Sequence, residues 1–368
     1  MHILCTADTL GGVWTYTREL VTGLLRRGVR VTLVSFGEIP SFDQTRWMEP
    51  LSGLDYHPTA FKLEWMQDSA GDIADSSRYL QEIIEECRPD VLHLNQFCYG
   101  SLKCDVPRIV VAHSDVVSWW LAARNKNPPE SAWLNWYREL VSRGLSSADT
   151  VIAPSRWMLG QITRHYGEPN RNSVIFNGRT PSLFNPYLTK DVGVVTMGRL
   201  WDCGKNAALL LRGKMPAPIT VIGADKHPES QSSVFAAEEI NPDVHLEPPQ
   251  DESELVLTLA RAGIYAATSQ YEPFGLAPVE AALSRCAIVA SDIASFRELW
   301  DGAALFFRNN DADSLRETLR VLVDDPATRR RYGNLAYDHA LRNFSADRMV
   351  DDYLHVYHML APASVLAS

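Results

Sequence analysis

Two glutamates, Glu272 and Glu280, stand eight positions apart in the segment Glu-Pro-Phe-Gly-Leu-Ala-Pro-Val-Glu. The segment follows an apolar run at 263–268 that reads as a strand. It leads into a helix whose first turn carries Pro278, where proline is well tolerated. Gly275 and Leu276 then offer backbone N–H groups near a helix N-terminus. With the first glutamate in the loop and the second in the first helical turns, both can face one pocket. Paired carboxylate acceptors match vicinal hydroxyls, such as those of a sugar and a ribose. An ordinary charge near a helix N-terminus accounts for Glu280 equally well.

Gly198-Arg199-Leu200 ends another apolar run, and Lys205-Asn206 follows it. A guanidinium fork and a compact ammonium this close, at a strand-to-helix turn, suit a diphosphate and its departing charge. A solvated surface pair is the plain alternative. Gly11-Gly12 form a turn between the first strand and a helix near Thr15, where a backbone can approach an anion closely. The full G-x-G-x-x-G fingerprint is absent, which counts against a nicotinamide enzyme. His113 closes a strand-like run at 108–113 and reads either as a site residue or as a hydrogen-bonded structural histidine. Gln250 lies in a Pro-containing loop, 246–253, placed to meet a nucleotide base. Trp119, Trp120, Trp133, Trp136 and Tyr137 follow His113 at helical spacing; core packing is the default, and an aromatic wall for a sugar ring is the alternative.

No metal or other cofactor is expected. Asp311-Ala312-Asp313 imitates a metal-binding Asp-x-Asp, but it starts a helix and reads better as an N-cap. The six cysteines form no C-x-x-C pair and read as free thiols in a reducing compartment, which predicts a cytoplasmic protein. A formal net charge of -10 over 368 residues argues against nucleic acid as a partner. No apolar run reaches the roughly 20 residues of a membrane span.

The elements that must position these residues alternate. Strand-like runs at 3–6, 29–36, 91–94, 108–113, 150–153 and 174–176 are interleaved with helical patterns at 15–27, 76–87 and 156–166. The alternation restarts with strands at 193–197, 219–223, 244–246, 263–268, 287–290 and 303–307, and helices at 206–212, 253–261, 278–284 and 312–323. This predicts an α/β chain of two doubly wound parallel halves. The boundaries read as 1–178, a linker at 179–190, 191–345, and a final helical segment, 346–368, free to pack back on the first half. Open sheets of this kind bind ligands beyond their strand C-termini.

Taken together, these motifs resemble the retaining family-four glycosyltransferases. Their mark is Glu, seven residues, Glu, within a segment like Glu-x-Phe-Gly-Leu, alongside an early Gly-Gly loop, a Gly-Arg-Leu strand end and a downstream lysine. The resemblance covers nearly the whole chain. It implies a GT-B fold, two Rossmann-like domains facing across a central cleft, and transfer of a hexose from a UDP- or GDP-sugar to a hydroxyl acceptor with retention and without metal. The acceptor class, a saccharide, a small molecule or a lipid-linked group, stays open. The resemblance gives Arg199 and Lys205 to the diphosphate, Glu272 with the Phe274, Gly275 and Leu276 backbone to the donor sugar, Glu280 to the ribose, and His113 to the transferred sugar. Two places depart from the pattern: Asn177-Gly178 runs into Arg179-Thr180, and Trp201-Asp202-Cys203-Gly204 separates Arg199 from Lys205. A nucleotide-sugar epimerase of the same architecture, or an inactive nucleotide-sugar binder, are the alternatives.

Overall fold

The computed structural model describes residues 1–211, 213–226 and 243–361. The chain divides into two compact units. One holds Met1–Ser118, Asn127–Gly178 and the segment from Ala346; the other holds Trp119–Lys126 and Arg179–Ser345.

The first unit is built on seven parallel strands: β1 (His2–Asp8), β2 (Arg30–Phe36), β3 (Leu54–Pro58), β4 (Val91–Leu94), β5 (Arg108–Val111), β6 (Thr150–Ala153) and β7 (Asn172–Val174). Their order is β3-β2-β1-β4-β5-β6-β7. Strands 1, 4, 5 and 6 are almost wholly buried, as near-continuous apolar runs require when both sheet faces are covered. The helix Ala346–Leu360 belongs to this unit. Gly23 lets Val350 sit directly on the helix Gly12–Arg26, Arg27 pairs with Asp347 and Asp351, and Arg348 donates to the Phe176 carbonyl.

The second unit carries six parallel strands: β8 (Val194–Met197), β9 (Ile219–Ile222), β10 (Val244–Glu247), β11 (Ile264–Ala267), β12 (Ala287–Ser291) and β13 (Ala304–Phe307). Their order, β10-β9-β8-β11-β12-β13, repeats the doubly wound pattern of the first sheet. In each sheet the strand order reverses once, between β1 and β4 and between β8 and β11. Open sheets of this kind bind ligands beyond the strand C-termini at such a reversal.

Some local expectations need correction. The edge strand β7 ends at Val174 rather than running through 174–176, because its partner β6 stops at Ala153 and Ile175 makes the last ladder bond to it. β3 escapes the sequence because it is a short edge strand with no fully buried residue and a terminal proline. The helix expected over 206–212 is a 3-10 stretch, Ala207–Leu211, with four of its five residues buried, a pattern that gives no amphipathic face; Arg212 lies outside the described residues. The helices Ala294–Trp300 and Pro326–Asn343 were not anticipated. The aromatic cluster divides. Trp133 stacks on Tyr137 in the first unit, while Trp119 and Trp120 belong to the second. Asp311 caps its helix by accepting from Ser314 N, as the N-cap reading requires.

Candidate active site

At the switch point of the second sheet, β8 delivers Gly198-Arg199 and β11 delivers Thr268–Glu272. Gly198 has a φ of 151°, and Gly223 approaches its carbonyl so closely that a side chain at 223 could not fit. The loop that follows is held by Asp202. Its carboxylate accepts from Gly204 N at 2.8 Å and from Trp119 Nε1 at 3.0 Å, and lies 3.3 Å from Arg199. Arg199 also lies over the Trp201 ring and remains 42% exposed, so its guanidinium is aimed yet reachable.

Lys205 comes next, followed by Asn206 in a left-handed conformation, φ 50°, which asparagine tolerates better than most residues. The carbonyl of Lys205 accepts from Thr268 Oγ1, and the Gly204 carbonyl accepts from the backbone of Gln270 and Tyr271. These bonds tie the loop after β8 to the loop after β11. Lys205 Nζ thereby comes 2.5 Å from Glu272 Oε2, which also accepts from Ser269 Oγ at 3.2 Å.

Glu272 is further placed by Gly275. That residue has a φ of 86° and caps the helix Leu276–Leu283 without a side-chain hydrogen bond. An added Cβ there would sit 3.0 Å from the Glu272 side chain. Glycine is thus required twice, for its backbone conformation and for the approach of the carboxylate. The helix N-terminus behind it presents backbone N–H groups beside an ion pair. Phe274 is buried and packs its ring edge-on against Phe344.

Glu280 lies on the same helix, nearly buried, with Arg179 Nε 2.8 Å from its Oε1. Arg179 also pairs with Glu252 at 2.8 Å. Gln250 is engaged at both ends of its amide, donating to Glu247 and accepting from Thr258. A base reading by its side chain must therefore exchange one of these bonds.

In the first unit, Gly11 and Gly12 are exposed at the start of the helix Gly12–Arg26, with Gly11 at φ 86°. His113 lies two residues beyond β5 rather than ending it. Its Nε2 is 2.8 Å from Asn95 Oδ1, and its ring stands edge-on to Tyr16. His93, fully buried below, bridges Tyr16 and Tyr357. Burial pushes the pKa of both histidines down to about 3.

The sequence reading overlooked Asn95 and the binding consequences of Arg179 and Asp202. Each had a signal. Asn95 is polar directly after the apolar β4. Glu280 is the one charged residue in Leu-Ala-Pro-Val-Glu-Ala-Ala-Leu, so its burial demands a cation. Among the described residues, no three His, Cys, Asp or Glu side chains cluster as a metal site, and no helix is long and apolar enough to cross a membrane.

Residues 10–183 match the model of Glycosyltransferase Family 4, and residues 205–339 match that of Glycosyl transferases group 1. The chain is 24% identical over 313 residues to alpha-maltose-1-phosphate synthase of Mycolicibacterium smegmatis, covering 73% of this chain and 76% of that protein. Its fold superimposes on sucrose-phosphate synthase from Thermosynechococcus elongatus with a TM-score of 0.80 at 16% identity, over 100% of both chains. It superimposes on Anabaena HepE in complex with UDP and glucose with a TM-score of 0.76 at 16% identity, over 98% of this chain and 100% of that one. With the two family models meeting the two units in order along the chain, the protein belongs to the family-four-type glycosyltransferases of GT-B fold.

Proposed function

We propose that this glycosyltransferase takes a hexose from a UDP- or GDP-sugar and passes it to a hydroxyl acceptor with retention of configuration and without a metal ion. The observation that carries this reading is the Lys205–Glu272 pair beside the uncapped N-terminus of the helix Leu276–Leu283. An ammonium, an exposed arginine and a helix N-terminus together supply positive potential for a departing diphosphate. A carboxylate next to them supplies acceptors for sugar hydroxyls and favours positive charge developing at the anomeric carbon.

In this reading Arg199 and Lys205 meet the leaving diphosphate. Lys205 exchanges part of its contact with Glu272 for phosphate oxygen, which frees Glu272 to accept from the sugar. The backbone N–H groups at Gly275 and Leu276 add donors. Glu280, held by Arg179, is given to the ribose. His113 is given to the transferred sugar, and the Gly11-Gly12 turn to the donor. No carboxylate is assigned as a nucleophile, and the family resemblance favours front-face attack, with a diphosphate oxygen assisting removal of the acceptor's proton.

Relatives support the donor class. HepE was solved with UDP and glucose, and alpha-maltose-1-phosphate synthase is named for a phosphorylated disaccharide. A thermal-shift screen of UDP- and GDP-sugars tests the reading, because a ligand that binds only the folded state stabilises it by mass action. A raised midpoint with one nucleotide-sugar supports it; no shift with any of them contradicts it. Product analysis with and without acceptor separates transfer from epimerisation.

A further inference from the structure

Asn95 stands directly after β4, at the switch point of the first sheet. Its side-chain Nδ2 donates to the Thr6 carbonyl at 2.6 Å, and its backbone N–H donates to Thr6 Oγ1 at 2.9 Å. A carbonyl has no hydrogen to give, so reversing the amide would set oxygen against oxygen. Oδ1 is therefore the atom that faces His113 Nε2 at 2.8 Å. An amide oxygen only accepts. Nε2 must then carry the imidazole proton, and Nδ1 must be the bare, accepting nitrogen.

The surroundings keep the ring neutral. Tyr16 from the helix Gly12–Arg26 and His93 from β4 pack around it, with Tyr353 and Tyr357 from the helix Ala346–Leu360 against His93. His93 Nε2 lies 3.0 Å from the Tyr16 hydroxyl and 3.3 Å from Asn95 Oδ1, and its Nδ1 lies 2.6 Å from the Tyr357 hydroxyl. Burial drives the pKa of both histidines down and those of the three tyrosines up, so the cluster is uncharged near neutrality.

We propose that Asn95 is a positioning residue that locks His113 in its Nε2–H tautomer, so that Nδ1 accepts a hydrogen bond from a substrate hydroxyl. The proposal rests on the glycosyl-transfer reading above. That hydroxyl has two sources, the donor sugar and the acceptor, and both present the same O–H to the ring. A protonated ring or the other tautomer would offer Nδ1–H instead and could not accept from it.

The test uses the full chain as wild type, Asn95→Leu and Asn95→Asp. Long-range nitrogen–proton NMR of the imidazoles reads the tautomer directly. Wild-type His113 is expected with a protonated Nε2 and a bare Nδ1; a proton on Nδ1 overturns the proposal. Asn95→Leu is expected to mix the tautomers and to lower turnover of UDP-glucose or GDP-mannose about tenfold, the scale of one lost hydrogen bond. Asn95→Asp gives up the bond to the Thr6 carbonyl but keeps an accepting oxygen at Nε2, stabilises the imidazolium, and moves the acid limb of the pH–rate profile to higher pH. If Asn95→Leu fails to fold, the Asp variant carries the test, and an unmoved acid limb overturns the proposal. Turnover of the nucleotide-sugar without acceptor, set beside transfer to glucose 1-phosphate, separates the sources. Slower hydrolysis in Asn95→Leu assigns the hydroxyl to the donor; unchanged hydrolysis with slower transfer assigns it to the acceptor; neither loss overturns the substrate half. If wild type turns over no nucleotide-sugar, the functional reading and the substrate half fall together, while the NMR result on the tautomer stands by itself.

Discussion

Arg179 holds Glu280: its Nε lies 2.8 Å from Oε1, with side-chain exposures of only 3% and 9%. Truncating one member of a buried pair leaves the other charge without compensation. Arg179→Met is therefore expected to lower stability by about 3–5 kcal/mol. Adding Glu280→Gln to that variant should return a large part of the loss, since the stranded charge is then gone. Denaturant unfolding of the two single variants and the double variant measures the coupling. Simple additivity would contradict the pairing.

The two glutamates are expected to fail differently. Glu280 would contact a part of the donor that does not react, so Glu280→Gln should mainly raise the donor KM. Glu272 would grip the moving sugar, whose contacts tighten as the ring flattens, so Glu272→Gln should mainly lower kcat. Steady-state kinetics with the preferred donor, at a temperature where both variants are folded, separates the two. A swapped pattern would show the roles reversed.

Lys205→Ala is expected to reduce kcat by about 10²- to 10³-fold, the scale of a lost preorganised donor to a developing anion. EDTA should leave the wild-type rate unchanged. Activity that vanishes with chelator and returns with magnesium or manganese would refute the metal-free assignment.

Stability should fall on the acid side. Both His93 and His113 are held near a pKa of about 3 in the folded protein, against 6.5 for an ordinary histidine. The unfolded chain therefore takes up these protons first. The stability of burying them neutral is intact above pH 6.5 and is lost progressively as pH falls from there toward 3. Each contributes a slope of up to about 1.4 kcal/mol per pH unit in that window. Thermal unfolding between pH 7.5 and 5 reads the slope, and His93→Gln should flatten it. A wild-type midpoint independent of pH over that range would contradict the assignment.

The doubly wound architecture was legible because buried parallel strands read as short apolar runs, such as Val-Leu-His-Leu at β4 and Ala-Ile-Val-Ala-Ser at β12. The edge strand β3 was not, since it buries little, and β7 was expected two residues too far along, at 174–176, since it is short and ends where its partner ends. Lys205 and Glu272 could be singled out by type and by the loops they sit on. Their 2.5 Å approach could not, because it depends on backbone bonds between the Gly204–Lys205 and Thr268–Tyr271 loops. The role of Arg179 was hidden for a related reason. Its partners, Glu252 and Glu280, lie 73 and 101 positions along the chain, and only folding joins them.

The central claim is transfer from an α-linked nucleotide-sugar with the anomeric configuration kept. Proton NMR of a reaction containing the stabilising UDP- or GDP-sugar and its acceptor follows both products at once. The account predicts nucleoside diphosphate released in step with a new α-glycoside, identified by the small coupling of its anomeric proton when the sugar is glucose. A β-glycoside as the first product, or no nucleoside diphosphate released from any α-linked donor, would contradict it.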